Sequence, residues 1–352
     1  MGKIYDAIVV GGGQAGLAAG YYLKKNKLQY LILDSSNQAR GSWPDYYDSL
    51  KLFSPASFAS LPGLKFPKHA NEYPSRFEVI KYLEDYIQFF QFPIEGNQQV
   101  VSVKKEDEIF TLITEKGNRF QSKTIINATG SFRNPYIPDI KGIELFKGRT
   151  FHSSEYRNPT SFINKRNIVV GSGNSAVQIA IELSEISITS LAVRNKVNLL
   201  KQKVLGLDLH YWIRITGFDN FPFWRFRKSV PQSNSVIDLG NYKEKIKEGN
   251  PDQKRMFTSF YSDGVVWADG SKEPVDAIIF ATGYKNYLPH LADIGATDIN
   301  GNPIHQAGVS TSVKGLYYVG LDGQRTFASA TLRGVGPDSK FVVQKLLRFL
   351  KN

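Results

Sequence analysis

The chain has 352 residues, of which 41% are apolar and 22% are charged, and this composition is typical of a globular protein of about two domains. The absence of cysteine excludes a disulfide framework, a cysteine-ligated metal and a dithiol relay, and five scattered histidines predict no metal site. The net charge of +12 favours an anionic ligand: a nucleotide, nucleic acid or an acidic membrane surface. We find no apolar run that predicts a transmembrane helix, and the N-terminus predicts a buried strand rather than a signal peptide, so a cytoplasmic protein is expected.

The first informative segment predicts a strand, a glycine turn and a helix. Gly11, Gly13 and Gly16 have the G-x-G-x-x-G spacing of a dinucleotide-binding turn. The first glycine permits the tight turn, the second lets a pyrophosphate approach the backbone, and the third lets the helix pack closely on the strand. The next predicted strand ends in Asp34, whose carboxylate can accept hydrogen bonds from ribose hydroxyls or can simply be a solvated loop residue.

The same pattern recurs at 167–194. A predicted strand precedes the G-x-G-x-x-A turn that starts at Gly171, and a helix and a second strand ending in Arg194 follow. The interval from the third turn position to the residue at the second strand's end is 18 residues in both units. Asp34 would repel a 2′-phosphate whereas Arg194 would pair with one, unless that arginine is only a surface charge.

The opposite charges predict two different cofactors. The first turn is expected to take FAD or NAD(H), and the second is expected to take NADP(H). Two dinucleotide sites in one chain predict electron transfer between them, and the chemically sensible pair is a tightly held flavin and a nicotinamide that reduces it.

One segment resembles a family signature. Residues 146–156 fit the F-x-G-x-x-x-H-x-x-x-[aromatic] signature of the flavin-containing monooxygenases, and in particular the chain resembles their compact bacterial members. Tyr156 matches the N- and S-oxidising branch, because the Baeyer–Villiger branch typically has tryptophan there. Other segments resemble the family in the same order along the chain: Gly41-Ser42-Trp43, Ala128-Thr129-Gly130, Ala281-Thr282-Gly283-Tyr284, 315–323 and 332–336.

The resemblance implies an α/β fold with two Rossmann-like dinucleotide-binding domains, as in glutathione reductase. Residues 1–140 and 285–352 would form a discontinuous FAD-binding domain, and residues 141–284 would form an inserted NADPH-binding domain. The two A-T-G strand ends lie near the crossings and can act as hinges.

The resemblance also implies the chemistry. NADPH reduces FAD, the reduced flavin reacts with O₂ to give a C4a-hydroperoxyflavin, and one oxygen atom passes to a small N-, S- or carbonyl-containing substrate. The alternative is an NADPH oxidase or flavin reductase, which passes electrons to O₂, a quinone or a protein partner without oxygen insertion.

Two residues are candidates for a catalytic role. Many family members have an asparagine near the flavin where this chain has Ser54, and one hydroxyl cannot copy both functions of an amide. Peroxide release is therefore expected, although Ser54 is equally well explained as a turn cap. His152 is either a general base or, as we prefer, a motif residue that structures the linker beside the nicotinamide.

The resemblance and the two glycine turns together predict the cofactor-binding residues. For FAD these are Gly11, Gly13, Gln14, Ala15, Gly16, Asp34, Ser35, Gly41, Ser42, Trp43, Ala128, Thr129, Gly130, Asp322 and Gly323. For NADPH they are Gly171, Ser172, Gly173, Asn174, Ser175, Arg194, Ala281, Thr282, Gly283 and Tyr284.

The region 204–240 is an aromatic and basic insertion in the predicted NADPH domain. It includes Trp212, Trp224, Arg227 and Lys228. A lid or tunnel over the substrate, a packed loop, and a weak membrane-surface or nucleic-acid contact are compatible with this composition. We expect a small-molecule substrate and O₂ as partners and no nucleic acid, and the sequence does not determine the oligomeric state.

Overall fold

The computed structural model describes residues 3–226, 230 and 235–352. The predicted α/β class is confirmed, because parallel strands alternate with helices along the chain. The helices are α1 (Gln14–Lys25), α2 (Arg76–Phe90), α3 (Asn174–Ser184), α4 (Leu209–Ile215), α5 (Tyr242–Lys247) and α6 (Leu332–Lys351).

The strands are short and are divided among two large sheets and three small ones. In chain order they are β1 (Ile4–Val10), β2 (Tyr30–Leu33), β3 (Ile94–Glu95), β4 (Val100–Glu106), β5 (Ile109–Thr114), β6 (Arg119–Asn127), β7 (Arg149–His152), β8 (Arg166–Val170), β9 (Ile188–Val193), β10 (Asn198–Lys201), β11 (Lys203–Val204), β12 (Leu207–Asp208), β13 (Ser235–Asp238), β14 (Asp252–Arg255), β15 (Ser259–Tyr261), β16 (Gly264–Val266), β17 (Lys272–Pro274), β18 (Ala277–Phe280), β19 (His305–Gln306), β20 (Val309–Ser310) and β21 (Leu316–Tyr318).

The first large sheet has nine strands. Its path is β19-β20-β21-β6-β1-β2-β3, and the β4–β5 hairpin joins it along β6. The four residues of β2 and the last four of β1 are all buried, because a central parallel strand is covered on both faces and therefore has a continuous apolar sequence. Helices α1 and α6 pack together, with side chains such as Leu17, Leu23 and Val342 in the same core cluster.

The second large sheet repeats this arrangement with five parallel strands in the order β14-β9-β8-β18-β7. The glycine-turn strand β8 lies between β9 and β18, as β1 lies between β2 and β6. Helix α3 packs on this sheet through Val177, Ile179 and Leu183. A three-stranded antiparallel sheet, β15–β17, completes this part of the chain.

The two connections between the large sheets run side by side. The Tyr136 N–H donates to the Gly283 carbonyl at 2.9 Å, and the Lys285 N–H donates to the Asn134 carbonyl at 2.9 Å. The Thr282 hydroxyl also donates to the Tyr136 carbonyl. The crossings are thus paired strands of backbone rather than separate loops.

The chain leaves the second large sheet after β9, and the predicted insertion lies between β10 and β13, which pair in parallel as a separate two-stranded sheet. Its described part contains the β11–β12 hairpin and helix α4, while Arg227 and Lys228 lie outside the described residues. No helix within the described ranges is long and apolar enough to cross a membrane.

Candidate functional site

The first glycine turn closes tightly against the end of β6. Gly11 has a φ of +103°, and a Cβ there would lie 2.6 Å from the Ala128 carbonyl oxygen. A Cβ on Gly16 would lie 1.9 Å from the Gly11 carbonyl oxygen. Both positions therefore require glycine for the fold itself, independently of any ligand.

Asp34 follows β2 and is buried beside this turn. One carboxylate oxygen accepts a hydrogen bond from the Gly12 N–H at 2.6 Å, and the other accepts from the Ser36 N–H at 2.8 Å and from the Ser36 hydroxyl. A Cβ on Gly12 would lie 2.4 Å from the Ala39 Cβ, so this position also excludes a side chain. The glycine spacing does not predict these roles of Gly12 and Ser36, although an aspartate two residues before a serine is typical of an Asx turn.

The predicted segment Gly41-Ser42-Trp43 and the residue Ala330 converge on the start of α1. A Cβ on Gly41 would lie 2.9 Å from the Gly13 Cα, which brings these two backbones into contact. The Trp43 indole N–H donates to the Gln14 side-chain oxygen at 3.1 Å, and the Gln14 amide nitrogen donates to the Ala330 carbonyl at 2.6 Å. The tertiary structure therefore gathers segments from both ends of the chain around the first turn.

The second glycine turn has the same relation to its neighbouring strand. Gly171 has a φ of +139°, and a Cβ there would lie 2.3 Å from the Ala281 carbonyl oxygen. The Ala281 N–H donates to the Val170 carbonyl at 2.8 Å, as the Ala128 N–H does to the Val10 carbonyl at 2.8 Å. Each A-T-G sequence therefore closes over one glycine turn, and this gives the two segments a common structural role.

Gly173 differs from the other turn glycines. Its φ of −89° is open to any residue, and no atom lies within 4 Å of the position where a Cβ would be. The side-chain oxygen of the next residue, Asn174, is buried without a hydrogen-bond partner among the described residues. An open backbone beside an unpaired polar atom fits a ligand that approaches closely, such as a pyrophosphate.

The N-termini of α1 and α3 are available to an anion. Both helices start after a glycine, without a side-chain cap and without an acidic residue in the first turn. Helix α2, by contrast, has a complete capping box formed by Ser75 and Glu78. Unpaired N–H groups and the positive end of the helix dipole fit dinucleotide phosphates at α1 and α3.

Asp34 and Arg194 each directly follow the last residue of the second strand of their unit, as predicted, but they differ by one position in register against the glycine-turn strand. Leu33, which pairs with the last residue of β1, immediately precedes Asp34, whereas Ala192, which pairs with the last residue of β8, lies two residues before Arg194. The chain from Val170 to its partner Ala192 is one residue shorter than the chain from Val10 to its partner Leu33, and this difference is the offset. Asp34 is buried, while Arg194 is exposed and makes no ion pair or hydrogen bond with the rest of the described chain.

His152 ends β7 and is buried. The Ser154 N–H donates to its Nδ1 at 3.1 Å, so Nδ1 is an acceptor and the proton is on Nε2, which donates to the Gly283 carbonyl at 3.0 Å. Burial lowers the pKa of the imidazole and favours this neutral form. The Nε2 bond joins the end of β7 to the A-T-G-Y turn, and the Nδ1 bond stays within the turn that follows β7.

A row of aromatic rings connects the surroundings of the two turns. The ring centroids are 5.6 Å apart for Trp43 and Tyr46, 5.4 Å for Tyr46 and Phe132, 4.8 Å for Phe132 and Tyr284, and 4.8 Å for Tyr284 and His152. Tyr46 and Phe132 are members that no sequence motif singles out. The row runs from the segment beside the first turn to the end of β7, and Phe132 within it is exposed.

Tyr156, the last residue of the family signature, is a structural link. Its buried hydroxyl donates to a Glu182 carboxylate oxygen on α3 at 2.6 Å, and its ring lies 6.2 Å from that of Tyr47. Tyr47 in turn donates to the Gln178 side chain on the same helix. The segment between the first turn and α2 is thereby attached to the second sheet.

Ser54 is buried in the segment that lies beneath the insertion. The neighbouring Phe53 ring stacks on His210 with centroids 5.9 Å apart, and the His210 Nδ1 lies 2.8 Å from an Asp208 carboxylate oxygen. Tyr73 donates to the other Asp208 oxygen. The insertion is thus docked on this segment through a buried polar network that the sequence does not predict.

The remaining predicted cofactor residues are distributed around the two turns. Thr129 accepts from the Asn127 side chain at 3.2 Å, and a Cβ on Gly320, two residues before Asp322, would lie 2.7 Å from the Ala15 Cβ. Asp322 is exposed, and a Cβ on Gly323 would meet Val230 at 3.3 Å. Ser175 lies in the first turn of α3, and the others lie at turns or strand ends with partly open surfaces: Ser35, Ser42, Gly130, Ser172 and Thr282.

Comparison with known proteins agrees with this geometry. Residues 8–320 match the profile of the pyridine nucleotide-disulphide oxidoreductase family. The CzcO-like oxidoreductase of Geobacillus kaustophilus is 38% identical over 348 residues, which cover 99% of each chain. Indole-3-pyruvate monooxygenase YUCCA4 of Oryza sativa subsp. japonica is 29% identical over 399 aligned positions, which cover 99% of this chain and 89% of that protein.

The solved structure of the flavin-containing monooxygenase from Stenotrophomonas maltophilia superposes with a TM-score of 0.86 at 28% identity, covering 99% of this chain and 100% of that one. A double mutant of the flavin monooxygenase from the same organism gives a TM-score of 0.88. The absence of cysteine here leaves no dithiol for disulphide chemistry. The predicted family, enzyme class and cofactors are confirmed: the chain belongs to the pyridine nucleotide-disulphide oxidoreductase family and, within it, to the flavin-containing monooxygenases, which use FAD and NADPH.

Proposed function

We propose that FAD binds at the first glycine turn, NADPH binds at the second, and the enzyme transfers one oxygen atom of O₂ to a small N-, S- or carbonyl-containing substrate. The observation that carries this assignment is the duplicated turn. Each glycine turn is covered by the end of an A-T-G strand. The residue that follows the second strand of the unit is the buried acid Asp34 after β2 and the exposed cation Arg194 after β9.

In this proposal the FAD domain comprises residues 1–140 and 285–352. The uncapped N-terminus of α1 faces the pyrophosphate through Gly13, Gln14 and Ala15. Asp34 holds the adenosine ribose, since a carboxylate offers about four acceptor positions and Gly12 and Ser36 use three. The segments at Gly41, Trp43 and Asp322 complete the flavin site.

Residues 141–284 form the NADPH domain in this proposal. The open backbone at Gly173 and the uncapped N-terminus of α3 receive the pyrophosphate. Arg194 has no competing carboxylate within the part of the chain that the structure describes, and the neighbouring Lys196 is also exposed. These two cations form the 2′-phosphate site.

The protein's own contribution is positioning and exclusion of water. The flavin supplies the reaction with O₂, and NADPH supplies the hydride and leaves as NADP⁺, so that substrate, O₂, NADPH and a proton yield oxygenated substrate, NADP⁺ and water. The aromatic row from Trp43 to His152 would limit the access of water to bound cofactors on its side of the two turns. His152 acts as a positioning residue, because both of its nitrogens are occupied by Gly283 and Ser154.

The test measures product and peroxide together. With a thioether and an amine as probe substrates, a monooxygenase forms oxygenated product in proportion to the NADPH consumed. If all NADPH is instead accounted for by hydrogen peroxide or by a reduced quinone with either probe, the chain is an NADPH oxidase or a reductase and the proposal fails.

Cofactor choice is tested separately with Arg194→Ala. An arginine–phosphate contact contributes about 1.5–3 kcal/mol, so NADPH binding should weaken roughly 10- to 150-fold while NADH binding changes little. The matched control is Arg255→Ala, since Arg255 is also exposed and ends the adjacent strand β14. Equal weakening of both nucleotides by Arg194→Ala would contradict its assignment to the 2′-phosphate.

A further inference from the structure

The described part of the insertion, residues 201–226, exposes a large amount of apolar surface. Leu205 is 86% exposed, Ile215 is 68% exposed and Phe226 is 58% exposed. Four other apolar side chains of the same segment are also exposed: Val204, Leu207, Phe218 and Phe221. We call these seven side chains the 201–226 surface. Exposed apolar side chains concentrated in one segment typically mark an interaction site.

Leu205 is the most unusual member of this surface. It forms the tip of the β11–β12 hairpin together with Gly206, and the two residues have φ values of +51° and +80°. Asparagine, aspartate and glycine are the residues that favour such a turn, whereas a leucine in this conformation is strained. The chain therefore exposes a strained leucine to solvent. Folding alone explains neither the backbone strain nor the exposure of this apolar side chain.

The charges of residues 201–226 all have one sign at the surface. The segment's exposed charged residues are Lys201, Lys203, Arg214 and Arg225. Its two acidic residues are buried and paired, Asp208 with His210 at 2.8 Å and Asp219 with Arg333 at 3.0 Å. The apolar side chains are consequently accompanied by cations alone.

The 201–226 surface is also held in place. The Trp212 indole N–H donates to the Val204 carbonyl at 2.9 Å and braces the hairpin. The Phe218 ring lies 5.1 Å from Phe327, and the Asp219–Arg333 pair fixes the same stretch to the start of α6. The apolar side chains are thus presented outward by a segment whose two acidic side chains face inward.

These features favour one occupant. A second copy of the chain placed by two-fold symmetry would bring like charges together. Nucleic acid would use the cations and the phenylalanines, but it offers no apolar phase to aliphatic side chains such as Leu205 and Ile215. An anionic lipid surface offers negative headgroups to the cations and an apolar layer to the hairpin tip.

We propose that the 201–226 surface attaches the enzyme peripherally to anionic membranes, with Leu205 inserted below the headgroups and the four cations at their level. The attachment does not depend on the oxygenation reaction. It places the segment that lies over Phe53 and Ser54 next to the lipid phase, from which apolar small molecules can reach it.

Vesicle cosedimentation of the flavin-loaded protein tests this proposal. The wild type should bind vesicles of phosphatidylcholine with phosphatidylglycerol, bind pure phosphatidylcholine vesicles much more weakly, and be released by salt. Leu205→Asp should reduce binding at least tenfold. The matched control is Ile299→Asp, because Ile299 is 99% exposed outside this segment, and binding should not change.

The electrostatic part is tested by replacing Lys201 and Lys203 with glutamine. Each cation near an anionic surface contributes about fivefold, so the double variant should bind roughly 25-fold more weakly. Flavin content and the circular dichroism spectrum of Leu205→Asp and of the double variant should match those of the wild type. The reason is that the side chains of Leu205, Lys201 and Lys203 are all exposed.

Three results would overturn the proposal. The first is wild-type protein that does not sediment with anionic vesicles. The second is a dimer in light scattering that Leu205→Asp converts to a monomer, which would assign the surface to a second copy. The third is tighter binding to single-stranded DNA than to vesicles, with loss on Lys201→Gln but not on Leu205→Asp.

Discussion

Replacing Gly173 with alanine should separate cofactor binding from folding. The backbone there has φ −89° and ψ −179°, which alanine adopts freely, and no atom lies within 4 Å of the new methyl group. The remaining cost is the weaker helix N-cap, about 1 kcal/mol, which should lower Tm by no more than about 4 °C.

The same methyl group occupies the space that a pyrophosphate needs. Loss of one backbone hydrogen bond to a charged phosphate costs about 1.5–3 kcal/mol, so NADPH should bind roughly 10- to 150-fold more weakly. Titration calorimetry with NADPH measures this effect, and thermal unfolding measures the stability. Flavin content should not change, because Gly173 belongs to the second turn.

Gly16→Ala is the contrasting variant. Its methyl group would lie 1.9 Å from the Gly11 carbonyl oxygen, so the first turn has to shift and flavin should be lost together with stability. If Gly173→Ala binds NADPH as tightly as the wild type, the second turn does not hold the pyrophosphate. If it loses stability as severely as Gly16→Ala, then the open space at Gly173 does not exist in the protein.

Three further changes test other parts of the molecule. Ser54→Asn adds an amide donor at the position where the resemblance implies one, and this donor stabilises developing charge by up to about 3 kcal/mol. Peroxide release per NADPH should fall at least tenfold. Unchanged release would mean that this position does not face the flavin. Burial lowers the pKa of His290 to about 4. The unfolded chain therefore takes up a proton near pH 6.5, whereas the folded chain does not. The free energy of unfolding is full above pH 6.5 and falls between pH 6.5 and 4. In urea unfolding, His290→Gln should remove about 3 kcal/mol of that fall, and parallel pH curves for the two proteins would contradict the assignment. Asp219→Ala leaves the nearly buried Arg333 unpaired, which costs about 3–5 kcal/mol. Trypsin should therefore cleave within residues 201–226 faster in the variant than in the wild type. Equal cleavage rates would show that the ion pair does not hold this segment.

The local elements around the two turns were predictable because each depends on neighbours in the chain. A continuous apolar run next to glycines at fixed spacing is sufficient to predict β1 and β8 with the turns that follow. The steric reason for Gly16 is short-range, since a Cβ there would strike the Gly11 carbonyl oxygen, whereas a Cβ on Gly11 would strike the distant Ala128 carbonyl oxygen. The opposite charges of Asp34 and Arg194 are likewise visible in the sequence and carry the prediction of two different cofactors.

The register of those two residues was not predictable. The chain between the glycine-turn strand and its partner residue is one residue shorter in the second unit, so Arg194 lies one register position further along than Asp34, and side chains alternate in direction along a strand. Equal spacing in the chain therefore produced one buried acid and one exposed cation.

Only the tertiary structure decided which residues that are far apart in the chain come into contact. Gln14 contacts Ala330, and the ring row passes from Trp43 through Phe132 to Tyr284, because the two sheets close over a shared boundary. The sequence by itself determined the strands that flank the two glycine turns, the turns themselves and the charges beside them, since backbone sterics and apolar periodicity act over a few residues. Packing decided which aromatic rings form the row from Trp43 to His152 and which side chains of 201–226 face outward. The reason is that burial of a side chain depends on which distant segment covers it.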